Sequence, residues 1–146
     1  MKLVNIDPIS LIWGYPSVSF LKATKGNMFF VPEMRPSLAG LVISESLCRE
    51  NKTVYITDNM LGILFYKKKI KDIFFFYKYK KNNMYTGICG SLYVYALAKA
   101  HNVPIMLYEG ENNKITEKKE IRNEFPFANY YIEALDESFY LEVNYE

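Results

Sequence analysis

The segment YTGICGSLYVYALAKAHNVPIML, residues 85–107, holds the residue types best spaced for chemistry. Gly87, Gly90 and Ser91 break the chain just ahead of an apolar helix, and a short apolar run follows Asn102 and Pro104. A turn that opens into a helix presents unpaired backbone N–H groups, which hold an anion such as phosphate. The same order of elements also serves simply to join two strands. Cys89 lies beside this helix start, where a thiol pKa can fall, although such a cysteine is more often a small buried apolar residue. His101, near the helix end, is placed to favour the helix dipole and has no partner in the sequence for catalysis.

The elements that must position these residues are read from apolar periodicity and turn signals. ISLIW (9–13) reads as a buried strand, and Gly14 and Tyr15 turn the chain. Pro16 suits the first position of a helix over 16–24. MFFVP (28–32) is a second strand, and apolar spacing from Ser37 to about Arg49 gives a helix. TVYIT (53–57) is a third strand, rich in β-branched residues. Thr57 or Asp58 can cap the next helix, NMLGILFYK (59–67). DIFFFY (72–77) and PIMLY (104–108) are the fourth and fifth strands, and SFYLEVNYE (138–146) reads as extended. The polar stretch 109–124 reads as a solvated loop or short helix.

These strands are continuous apolar runs, as a parallel sheet covered on both faces requires. With helices between them, right-handed crossovers give an α/β fold with an open, doubly wound, mostly parallel sheet. Ligands of such sheets bind at the carboxyl ends of the strands. Here those ends carry Gly14–Tyr15, Glu33–Arg35, Thr57–Asp58 and Tyr77–Lys78, with the Gly87–Ser91 turn near the same rim.

Composition narrows the function classes. The chain has 146 residues, enough for a single domain with a real core. It is half hydrophobic and only 23% charged, which argues against disorder. No apolar run reaches the roughly 18 residues of a membrane span, and MKLVNIDPIS lacks a signal-peptide core, so a cytoplasmic protein is expected. Two cysteines and one histidine offer neither a disulfide framework nor a metal site. The run YKKKIKDIFFFYKYKK (66–81) interleaves lysines with aromatics, as single-strand nucleic-acid binders do. It reads better as a core strand with solvated ends, and a net charge of +2 does not argue for nucleic acid.

Three motifs in order carry a resemblance. EMRPSLAG (33–40), VYITDNMLGIL (54–64) and GICGSLYVYALAKAHNVPIMLYEG (87–110) resemble segments of one family. It comprises the alpha, beta and delta subunits of initiation factor 2B, methylthioribose-1-phosphate isomerase and ribose-1,5-bisphosphate isomerase. The resemblance covers roughly residues 9–110, with LEVNYE similar to the family's last strand. It implies a Rossmann-like domain equivalent to the family's C-terminal half, without the N-terminal helical domain that partly closes the family's pocket.

What the resemblance implies for chemistry is mixed. The isomerases' catalytic cysteine falls at Gly14 and their catalytic aspartate at Tyr77, so the acid/base pair an isomerase needs is missing. The phosphate-facing Asn-Lys becomes Gly87-Ile88, and a glutamine becomes Ala39. Arg35 matches the family arginine, whose planar fork suits phosphate. Asp58 matches the family aspartate, and Gly90 and Ser91 match its Gly-Thr at the helix start. Arg35 reads better as a partner of Glu33 or Asp58 that holds the loops, and Asp58 better as a helix cap than as an acid catalyst.

The expected function is therefore a non-catalytic binding or assembly module acting as a homodimer, with no cofactor. A sugar-phosphate or nucleotide binder using Gly14, Arg35, Asp58, Gly90 and Ser91 is the second reading, and a divergent isomerase the third. An aromatic interface could use Tyr77, Tyr79, Tyr85, Tyr130, Tyr131 or Tyr140. An open polar rim would favour the ligand binder. A rim filled by Trp13, Tyr15 and Tyr77 would favour the assembly module.

Overall fold

The computed structural model describes residues 5–111 and 135–141. Five parallel strands form one sheet: β1 (Ile9–Trp13), β2 (Met28–Pro32), β3 (Lys52–Ile56), β4 (Ile70–Tyr77) and β7 (Ile105–Glu109). Their order is β3-β2-β1-β4-β7. The chain moves outward one way from β1 to β3, then back past β1 to β4 and β7. Right-handed crossovers then place α1 (Val18–Ala23) and α2 (Ala39–Leu47) on one face. They place α3 (Met60–Tyr66) and α4 (Ser91–His101) on the other. This is the doubly wound α/β fold expected from the apolar runs.

Burial follows the same logic. Leu11, Ile12 and Trp13 are consecutive and all buried, because both faces of the central strand are covered. On one face Phe20 of α1 packs edge-on against Phe76 and tilted against Phe74. On the other, Phe75 meets Phe139, which stacks on Tyr95 of α4.

Several boundaries differ from the sequence reading. Pro16 does not open α1. Ser17 is the N-cap, its hydroxyl accepting from the Phe20 N–H at 3.3 Å, and the helix starts at Val18. Ser37 lies outside α2, because Leu38 adopts a left-handed conformation (φ 58°) just before it. Asn59, not Thr57 or Asp58, stands at the cap of α3, with no side-chain cap hydrogen bond.

The sequence reading also missed two short strands, β5 (Tyr79–Lys81) and β6 (Met84–Gly87), and the small sheet they form with β8 (Glu137–Tyr140). This second sheet is antiparallel, of order β5-β6-β8. β5 and β6 are a hairpin around Asn82 and Asn83, with Asn82 at φ 55°. β8 overlaps the stretch 138–146 expected to be extended and starts one residue before it. Its continuation over 142–146 and most of the 109–124 loop reading lie outside the described residues. Among the described residues, no helix is long and apolar enough to cross a membrane.

Candidate functional site

The rim divides into two halves. The first is built by the ends of β1 and β4 and the start of α4. Trp13, at 2% exposure, closes it. Its indole Nε1–H donates to Ser91 Oγ at 3.1 Å, and the Ser91 hydroxyl donates to the Ile88 carbonyl at 2.6 Å. Gly90 holds φ 96°, and a Cβ there would lie 2.9 Å from the indole ring. The glycine is required both by its backbone angle and by the tryptophan lying against it. Gly14 is more constrained still: at φ 84° its Cβ would stand 2.2 Å from the Phe76 carbonyl oxygen. A side chain at position 14, nucleophilic or not, has no room unless β4 moves.

The N-terminus of α4 already has an anion. The Leu92 N–H donates to Glu137 Oε2 at 2.7 Å, so a carboxylate from β8 meets the helix's positive end. Glu137 was missed by the sequence reading, since 45 residues separate it from Leu92 and no local signal joins them. Asp136 beside it pairs with Lys78 Nζ at 2.8 Å and accepts from the Tyr79 hydroxyl at 3.0 Å.

The second half lies at the ends of β2 and β3 and is polar. Asp58 accepts from the Met34 and Arg35 N–H groups, at 2.9 and 2.8 Å. Its own N–H donates to Glu33 Oε1 at 3.3 Å, and Arg35 Nε lies 3.2 Å from Glu33 Oε2. Met34 is fully buried with φ 56°, an unusual angle for a side-chain-bearing residue. Asp58 is therefore a staple that fixes this loop, which corrects its reading as a helix cap. Burial pushes the Asp58 carboxyl above its ordinary value, against the pull of its two backbone donors. Tyr55 nearby is also raised, first by burial and then by the charges of Glu33 and Asp58.

Cys89 lies where the two halves approach. Its thiol is pushed up by burial, then by the charges of Glu137 and Asp58. The lowered pKa considered from its place beside a helix start is corrected accordingly: desolvation, and after it the two carboxylates, favour the neutral thiol. Among the described residues, no cluster of three or more His, Cys, Asp or Glu is set to hold a metal.

The structure thus brings Gly90 and Ser91 together under Trp13, and Arg35 and Asp58 together in a separate loop clamp. Gly14 turns between them against β4. Tyr15 is buried, while Tyr77 is half-buried and packs edge-on against Tyr85 at 5.2 Å. Neither Tyr77 nor Tyr85 is an exposed ring. Tyr79 and Tyr140 are exposed, and Tyr130 and Tyr131 lie outside the described residues. The basic run resolves into a core strand, with Phe75 and Phe76 buried and Lys67, Lys68, Lys80 and Lys81 exposed at its ends. An open depression of about 200 Å³ lies instead at the amino edge of the sheet, lined by Tyr95, Lys99, Asn102 and Ile105.

No family profile and no curated protein matches the sequence. Solved structures do match the fold. The delta subunit of translation initiation factor eIF-2B from A. fulgidus superposes over 94% of this chain and 51% of its own, with a TM-score of 0.66 and 16% identity. The chain has the fold of these proteins. Translation initiation factor eIF-2B from Pyrococcus horikoshii OT3 matches over 71% of this chain and 40% of its own, at TM-score 0.57 and 14% identity. The 5-methylthioribose 1-phosphate isomerase of the same organism matches over 71% and 35%, at TM-score 0.52 and 16% identity. The chain spans about half or less of the length of each. The motif resemblance and the fold therefore point to one set of proteins, which includes translation factors and an isomerase.

Proposed function

We propose that the chain is a non-catalytic binding and assembly module, similar to the initiation factor 2B subunits and acting as a homodimer. The observation that carries this reading is Trp13, which lies on Gly90 and donates to Ser91 where a phosphate would sit on the helix start. Two further features support it. Gly14 has no space for the nucleophile an isomerase would place there. Both Asp58 oxygens accept from backbone N–H groups, which leaves this carboxylate holding a loop rather than moving a proton.

A second reading, a sugar-phosphate or nucleotide binder without turnover, is favoured by one feature. The Arg35 side chain is 51% exposed at the polar half of the rim. A thermal-shift series with methylthioribose-1-phosphate, ribose-1,5-bisphosphate and nucleoside monophosphates separates the two. The assembly module gives no shift. A binder at 100 times its dissociation constant gains about 2.7 kcal/mol, a rise of roughly 5–10 °C, lost in Arg35→Ala. Turnover of either isomerase substrate by the purified chain would overturn the non-catalytic reading.

A further inference from the structure

Charge is segregated along the strand axis of the large sheet. Its five parallel strands all start at one edge and end at the other. The edge where they end holds Glu33, Asp58, Asp136 and Glu137, with Arg35 and Lys78 as the cations paired there. The opposite edge, where α3 and α4 finish, is basic. Lys67 and Lys68 follow Tyr66, Lys71 is the second residue of β4, and Lys99 lies in the last turn of α4. All four are exposed. A formal net charge of +2 conceals this division.

These lysines exceed what the fold needs there. A helix end carries about half a charge, so Lys67 and Lys99 already answer the ends of α3 and α4. Lys68 and Lys71 are left over, and among the described residues no carboxylate pairs with any of the four. The carboxylates described at this edge are Asp7, Asp72, which accepts from the Ser10 hydroxyl, and Glu45 and Glu50 on the α2 side beside Arg49. Lys69 is held within the chain, its ammonium donating to the Ile6 carbonyl at 2.7 Å.

Two aromatic rings lie among the free cations. Tyr66 is 71% exposed, with Lys67 Nζ 5.9 Å from its ring centroid. Tyr95 lines the open depression of about 200 Å³ at this edge, with Lys99 Nζ 5.7 Å from its ring and Asn102 on the same wall. The His101 ring, 5.8 Å from Phe65, brings the end of α4 against the end of α3, so the two ring-and-lysine pairs belong to one surface.

We propose that this basic edge binds single-stranded nucleic acid. Phosphates sit on Lys67, Lys68, Lys71 and Lys99. One base stacks on Tyr66, and a second enters the depression beside Tyr95, where the Asn102 amide both donates and accepts. A duplex keeps its bases stacked on each other and offers Tyr66 nothing, so the exposed ring selects single strands. The surface lies at the other end of the sheet from the rim and stands whether or not the assembly reading holds.

The test titrates the full chain, by fluorescence anisotropy over a range of salt, against oligothymidine and oligouridine of about 15 nucleotides and against the duplex of oligothymidine with oligodeoxyadenosine. Both single strands bind more tightly than the duplex, and the tighter of the two identifies the natural class. The logarithm of the binding constant falls against that of salt with a slope of ~2–3, as three or four neutralised phosphates give. Lys67→Glu with Lys68→Glu weakens binding at least ~10-fold. Lys80→Glu with Lys81→Glu makes the same change of net charge on β5, at the other end of the sheet, and shifts the dissociation constant by less than about twofold. Tyr66→Ala weakens binding ~5-fold or more and leaves the salt slope unchanged. Each variant keeps the circular dichroism spectrum of the native chain. Absence of binding at low salt overturns the proposal. So does equal weakening by the two lysine pairs, which marks attraction to any polyanion. A duplex bound as tightly as the single strands, with no effect of Tyr66→Ala, overturns it as well.

Discussion

The two halves of the rim have been closed in different ways. At β1, β4 and α4 the closure is steric: an indole lies on Gly90, and Gly14 faces the Phe76 carbonyl with no room for a Cβ. At β2 and β3 the closure is electrostatic: Glu33, Arg35 and Asp58 satisfy one another and the backbone. The difference matters because steric closure removes the volume a ligand needs. Electrostatic closure leaves charged groups near solvent and removes only their freedom to pair elsewhere. The apolar half has thus become core, whereas the polar half has become a loop clamp.

The largest effects should come from breaking the steric half. Trp13→Ala leaves a cavity and removes a buried hydrogen bond, and should cost about 3–5 kcal/mol by urea unfolding. Gly14→Cys should cost at least about 3 kcal/mol, from left-handed strain together with overpacking. Gly14→Cys with Tyr77→Asp should give no isomerase activity in a coupled assay, because the thiol cannot be seated without displacing β4. A stable Gly14→Cys chain would refute the steric account of this half.

Breaking the polar half should cost less. Asp58→Ala leaves two backbone donors without their acceptor, a loss of about 2–3 kcal/mol. Asp58→Asn sharpens the contrast through pH. The folded carboxyl holds its proton more tightly than the unfolded one, so its contribution falls as pH rises through the raised pKa. The stability of the native chain relative to Asp58→Asn should therefore decline from acid toward neutral pH. A difference that rises with pH across that window would contradict the burial argument.

Arg35→Ala should cost under about 1 kcal/mol, as expected of a guanidinium half in solvent. The smallest effect tests where the halves approach. Cys48 is exposed and Cys89 is half-buried beside two carboxylates, so Cys48 should react first with iodoacetamide. Glu137→Gln removes one of those charges and should speed alkylation of Cys89 a few-fold, by lowering its thiol pKa. An unchanged rate would show that Glu137 does not act on the thiol.

Much of the fold was legible because its signals are local. β-branched and aromatic runs marked the five parallel strands to within one or two residues, and Gly90–Ser91 marked the start of α4. The small sheet was not, because β5 and β6 are short and β8 joins them from far along the chain. Its one local signal was the Asn82–Asn83 pair at a two-residue turn, the kind that favours a hairpin. The rim residues were located correctly as strand ends, yet their partners were not readable. Asp58 could have capped its own helix from sequence alone, and only the approach of the β2 loop redirected it to Met34 and Arg35.

By itself the sequence determined the α/β class, the parallel sheet and the residues that reach its carboxyl edge. Those follow from apolar periodicity and turn chemistry, which act over a few residues. Tertiary structure alone decided what that edge contains. Whether Gly90 faces an anion or an indole, and whether α4 begins against solvent or Glu137, depends on elements 45 to 78 residues apart. Such contacts are set by packing between elements, for which no stretch of sequence carries a local signal.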